Sequence, residues 1–166
     1  MDNKGQLSME FIFLVGVLIV ILVSSSIFIL NENELMVAMA AARNGVNEGI
    51  AVGDVAVFPD DVYGDYEISK DDLLIPNSVN LIKIKYNYMG FDSRYNKEKI
   101  QFNVTVSSDT ITDKKEQDSV GDRINYNLRK SVALSFSTEN LTNGLFNPVF
   151  SKHYIYTTSK VKWVKN

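Results

Sequence analysis

The sequence predicts an α+β protein: a long N-terminal helix, apolar in its first half, followed by a small antiparallel β-sheet domain packed on the helix's polar half. Three observations carry this. Phe11 to Leu30 is a run of twenty residues without a charge, about the length of a helix that crosses a bilayer's hydrocarbon core. No proline occurs before Pro59, so nothing forbids the helix from running on past the apolar run. From Val79 onward the apolar period becomes two, the mark of half-buried strands.

The first thirty residues, MDNKGQLSMEFIFLVGVLIVILVSSSIFIL, admit several readings. A secretory signal has a basic head, a short apolar run and a small-residue cleavage site after it. Here the single cation Lys4 is offset by Asp2, and more apolar sequence follows Ser24-Ser25-Ser26. The apolar run is also longer than such signals carry. A plain membrane anchor fits the length but leaves Glu10 unexplained, an acid at the edge of the apolar run. An acid well inside a bilayer costs roughly 2.5 kcal/mol or more.

Lys4-Gly5-Gln6-Leu7-Ser8-Met9-Glu10, directly before the apolar run, resembles the class III signal peptide of archaeal type IV pilin-like proteins. The matching residues are Lys4, Gly5, Gln6, Ser8 and Glu10. The resemblance implies that a membrane-embedded prepilin peptidase cuts between Gly5 and Gln6, on the polar side of the helix. Residues 1–5 are then a leader, loosely ordered and removed, and 6–52 the N-terminal helix, transmembrane over about 11–30. Residues 53–166 form an extracellular β-rich domain. The cut keeps the apolar segment on the mature chain and creates an α-amine at Gln6. When subunits stack, Glu10 of one is expected to meet the Gln6 amine of its neighbour. A charged pair desolvated together offsets part of its burial cost and is best attested as a register-setting device.

Past Leu30 comes an abrupt polar patch, Asn31-Glu32-Asn33-Glu34, and then LMVAMAAAR, residues 35–43, nearly all good helix formers. A helix from Leu7 to about Val52 would measure roughly 70 Å at 1.5 Å per residue. Small residues recur on its second half at Ala38, Ala42, Gly45, Gly49 and Gly53. They suit either a smooth face for close packing or a fraying helix end, since each glycine costs about 1 kcal/mol relative to alanine. We read them as the fraying end, with the helix stopping within 45–55.

Residues 57–74 lie in the most acidic part of the chain: Glu48, Asp54, Asp60, Asp61, Asp65, Glu67, Asp71 and Asp72 stand against Lys70. The spacing does not match a calcium loop, so this is read as a solvated loop with turns at Pro59 and Gly64. In Val79 to Tyr88, Ile82, Ile84, Tyr86 and Tyr88 share one face of a strand. Met89 to Lys99 reads as a hairpin connection and Ile100 to Ser107 as the partner strand. Asp109 to Asp122 reads as a charged linker, and Arg123 to Lys130 as ambiguous between helix and strand. Val132, Leu134 and Phe136 form a third alternating set. Asn140 to Pro148 is loop, and Tyr154 to Val164 a closing strand or hairpin. Four or five strands joined by short turns indicate an antiparallel sheet. A sheet must bury its apolar face, and the long helix is its expected partner.

Composition narrows function. A net charge of −3 and no run of basic residues longer than two argue against nucleic-acid binding. There is no cysteine and a single histidine, His153, read as a surface residue. Disulfides and thiolate metal sites are excluded, and histidine-based metal or catalytic sites are disfavoured. No cofactor loop or nucleophile elbow is present, so no enzyme is expected. Asn103-Val-Thr105 and Asn140-Leu-Thr142 fit the N-glycosylation pattern, about as many sequons as chance gives for this composition.

The expectation is therefore a pilin-like subunit, major or minor, that polymerises through its N-terminal helix with Gln6 and Glu10 as the assembly pair. The resemblance implies a membrane-inserted precursor with its leader on the cytoplasmic side, then a surface filament, commonly adhesive. The partners it implies are other pilins or further copies of this chain, the prepilin peptidase, an assembly ATPase and a platform protein. The alternative is a single-span anchored surface protein that never polymerises.

Overall fold

A computed structural model of the chain describes residues 9–51 and 79–165. The leader, Gln6, Ser8, Gly53 and the acidic stretch around 57–74 lie outside the described residues. The described elements are helix α1, Met9–Ala51; strands β1, Asn80–Asp92, and β2, Lys97–Ser107; helix α2, Lys114–Ser135; a 3-10 turn, Glu139–Leu141; and strands β3, Val149–Phe150, β4, Tyr154–Thr158, and β5, Lys162–Val164. The architecture is α+β, with a long N-terminal helix ahead of a small five-stranded sheet. By its contacts the chain divides into two units, residues 1–36 and 37–166. The helix continues through the polar patch at 31–34, as the absence of proline leads one to expect.

In the second unit β2 is the central strand. It pairs antiparallel with β1 on one edge, through a turn at Ser93–Asn96. The hairpin is the expected one, but its strands run further than the alternation suggests. A bulge between Tyr88 and Phe91, with Gly90 at φ 86°, breaks the period before the strand ends. Its other edge carries β4 over Glu98–Phe102 and β5 over Thr105–Ser107, both parallel to it. The closing segment is thus one strand interrupted at residues 159–161, and the sheet is mixed rather than antiparallel.

The reason is α2, a single helix where the sequence suggested a linker, an ambiguous stretch and a third strand. The Asp113 side chain accepts from the backbone N–H of Lys115 and Glu116, at 2.8 and 3.3 Å, and caps it. Val120, Ile124, Leu128 and Val132 recur every four residues and are buried, a helical stripe. Leu134, which supplied the apparent strand alternation, is 52 % exposed. A parallel pair needs a long crossover, usually a helix, and α2 lies in the crossover between β2 and β4.

α2 adds an element to the packing expected between sheet and long helix. One side of it meets β4, β5 and their link: Asn125 Nδ2 donates to the Ser159 carbonyl at 2.9 Å, and the Arg129 guanidinium donates to Thr158 Oγ1 at 2.6 Å. Phe136, at its C-cap, stacks on Tyr156, which stacks on Phe102 of β2. Another side meets the part of α1 in the same unit, where Ala38, Ala42, Gly45, Val46 and Gly49 are buried. A Cβ on Gly45 would lie 2.3 Å from the Asn127 carbonyl oxygen, and one on Gly49 2.9 Å from the Ile124 Cα. These glycines are a close helix–helix contact, so the fraying reading is corrected. Arg123 Nε donates to the Gly49 carbonyl at 3.0 Å, satisfying an acceptor in the last turn of α1.

Candidate functional site

Between Met9 and Ile29, fifteen large apolar side chains of α1 are exposed, Phe13 by 74 %. They face all sides, so this is no amphipathic helix with one buried stripe. A helix apolar all round belongs inside something larger, lipid or protein. By length and composition α1 is able to cross a membrane, and the side chains of its most apolar window are unburied.

Glu10 stands in the first turn of α1 and is exposed. Helix N-termini favour negative charge, which suits an acid at this end of the apolar run. Ser24, Ser25 and Ser26 lie inside the helix rather than at its end. The Ser26 hydroxyl donates to the Leu22 carbonyl at 2.9 Å, so it is satisfied without water. The three serines therefore do not mark the end of the apolar helix. Of the signal residues, Lys4, Gly5, Gln6 and Ser8 lie outside the described residues, so no geometry joins Gln6 to Glu10.

The two sequons differ in access. Asn140 is exposed in the 3-10 turn. Asn103 is half-buried on the central strand, opposite Lys85 of β1, and its Nδ2 donates to the Gln101 carbonyl at 3.3 Å. The nitrogen that would carry a sugar is therefore already engaged. His153 is exposed before β4, and its carbonyl accepts from the Glu98 N–H at 3.2 Å.

Among the described residues no group of His, Asp or Glu is arranged to hold a metal. An open hollow of about 360 Å³ lies at the tip of the β1–β2 hairpin, lined by Met89 to Arg94 and Lys99. Arg94 donates to both carboxylate oxygens of Asp92, at 3.2 and 2.9 Å, and holds that carboxyl below its usual range. This clasp shapes the turn. Sequence reasoning missed Arg123, whose role on α1 depends on a helix contact 74 residues away in sequence.

Compared with known families, residues 3–29 match the model described as "Class III signal peptide", the type IV pilin-like signal. Such a signal implies a pilin-like precursor for a prepilin peptidase, and with the apolar helix it fits a membrane-inserted form. No match was found among curated proteins or among solved structures.

Proposed function

We propose that this chain is a structural subunit, major or minor, of a type IV pilus-like surface filament. One observation carries the reading: the class III signal match, residues 3–29, runs into a helix whose apolar side chains are exposed on every side. The prepilin peptidase cuts between Gly5 and Gln6, and the apolar helix stays on the mature chain. Burying a large apolar side chain stabilises by roughly 1.5–3 kcal/mol. Fifteen of them far outweigh the roughly 2.5 kcal/mol cost of an acid in the same run. The helix therefore leaves lipid only for another apolar setting, the packed helices of a filament core, where close packing holds the subunits and Glu10 directs them by pairing with the Gln6 amine of the neighbouring subunit.

The partners are further copies of this chain or other pilins, together with the peptidase, an assembly ATPase and a platform protein. The second unit faces outward and serves surface contact rather than catalysis. Asn140 is the sequon available to a glycan.

The test is the N-terminal sequence and intact mass of the mature protein from its native membrane. A start at Gln6, with any glycan mass on the peptide carrying Asn140, is the expected result. An intact Met1 would instead make the chain a single-span anchor, and a start beyond Ser26 would mean ordinary secretion. Either sinks the filament reading.

A further inference from the structure

The face of the sheet turned away from α2 is basic. Lys83 of β1 and Lys162 of β5 both register with Thr105 of β2. They share one face and flank the central strand, about 10 Å apart at the strand spacing. Lys85 registers with Asn103, two positions along the same face, and Lys99 with Ile155 of β4. Lys83, Lys85 and Lys162 are exposed, and Lys99 is half-buried. Among the described residues no ion pair or hydrogen bond engages the ammonium groups of Lys83, Lys85 or Lys162.

The chain's charge is divided in a matching way. Residues 79–166 carry fourteen Lys and Arg against eight acids, whereas residues 52–78 carry seven acids against Lys70 alone. A solvated loop has no need of so one-sided a composition, and the one acid that registers on the lysine face, Asp92, stands at the hairpin end beside Lys99 and is held by Arg94. Each block is what the other lacks.

We propose that the lysine face of one copy docks against the acidic stretch of a second copy of this chain. The inference rests on the filament reading, because the apolar helices bring copies side by side and so raise the effective concentration of each block at the other. The contact joins two different surfaces. Such heterologous contacts leave one of each surface unsatisfied at every end and continue as open assemblies rather than closing into pairs. The lysines supply steering and register more than affinity.

The chain has no cysteine, so engineered disulfides read the contact without background. Two differently tagged full-length copies are expressed together, one with Lys85→Cys and the other with Asp60→Cys, Asp65→Cys or Asp71→Cys in turn. Mild oxidation is expected to give a linked heterodimer carrying both tags for at least one of the three. Its yield should fall about tenfold between 0.1 and 1 M salt, where screening shortens to about 3 Å. It should fall similarly when Lys83→Glu and Lys162→Glu are added to the first copy. Three results would overturn the docking: no heterodimer at any of the three positions, a link that closes only within the chain when both cysteines are placed on one copy as a control, or a heterodimer indifferent to salt and to charge reversal. Filaments are scored separately by electron microscopy. Filaments without the link sink the docking alone, while a salt-sensitive link on chains with an intact Met1 upholds the docking and sinks the filament reading.

Discussion

At Gly45 two helix backbones approach so closely that a single methyl group decides whether they fit. An alanine Cβ there would lie 2.3 Å from the Asn127 carbonyl oxygen and 2.8 Å from the Leu128 Cα. Both are backbone atoms, so no side chain is able to swing aside. Two effects oppose each other in Gly45→Ala. Helix propensity gains about 1 kcal/mol, and overpacking a tight contact costs about 1–3 kcal/mol. Because the obstruction is backbone, the cost should fall at the upper end. The variant is expected to lose about 1–2 kcal/mol in urea unfolding of the full chain in detergent. Gly144→Ala, whose Cβ would meet nothing within 4 Å, should change stability by less than about 0.5 kcal/mol. A Gly45→Ala chain as stable as its parent would mean that the helices separate freely. The spacing of Gly45 and Gly49 was legible in the sequence. Its meaning was not, because the same glycines suit a fraying end and a close contact, and the partner helix that decides between them is remote in sequence. Asn103 and Asn140 are a similar case. Both motifs are local and readable, but the Asn103 hydrogen bond to Gln101 depends on the strand's backbone.

α2 is the element on which most of the second unit depends. It holds the end of α1 through Arg123, and its presence in the crossover lets β4 and β5 lie parallel to β2. Its signals were in the sequence: Asp113 as a cap, and Val120, Ile124, Leu128 and Val132 at helical spacing. They were outweighed by charges in the first two turns and by Val132, Leu134 and Phe136, which alternate as a strand would. Tertiary burial of one stripe decided the matter. The error then propagated, since four strands without a helix between them read as antiparallel. β2 itself was plain, because buried Phe102, Val104 and Val106 alternate without interruption, whereas on β1 a register shift between Leu81 and Lys83 breaks the expected face and Ile82 and Tyr88 are 51 % and 54 % exposed. Two substitutions separate the helix's own stability from its grip on α1. Asp113→Ala removes the cap and should cost about 1 kcal/mol, with faster amide exchange in the first turn of α2. Arg123→Met keeps the apolar stem but removes the donor to the Gly49 carbonyl. A hydrogen bond to a charged group contributes about 1.5–3 kcal/mol, so this loss should be larger and should speed exchange at residues 45–51. Equal exchange at 45–51 in both variants would show that Arg123 does not secure the end of α1.

For the molecule as a whole, the question is why an acid is kept in a helix otherwise fit to lie in lipid. The class III signal around it could be read in the sequence because the signal and the apolar run are contiguous and need no tertiary partner. Glu10→Leu makes the helix more apolar, so insertion into the membrane should be unimpaired or improved. If Glu10 served only the helix N-terminus, its loss would cost about 0.3–1 kcal/mol and leave filaments in place. If instead it pairs with the Gln6 amine of a neighbour, the variant leaves that amine buried and uncompensated. Breaking a buried pair by removing one partner costs about 3–5 kcal/mol, a factor of a hundred or more in an assembly equilibrium. Because Glu10 also belongs to the signal, the comparison is made only on chains whose N-terminus is Gln6. Among these, membrane levels should match the parent while filaments seen by electron microscopy fall at least tenfold. Normal filaments from cut Glu10→Leu chains would show that the apolar helices find their register without the pair, and the assembly role of Gln6 and Glu10 would have to be abandoned.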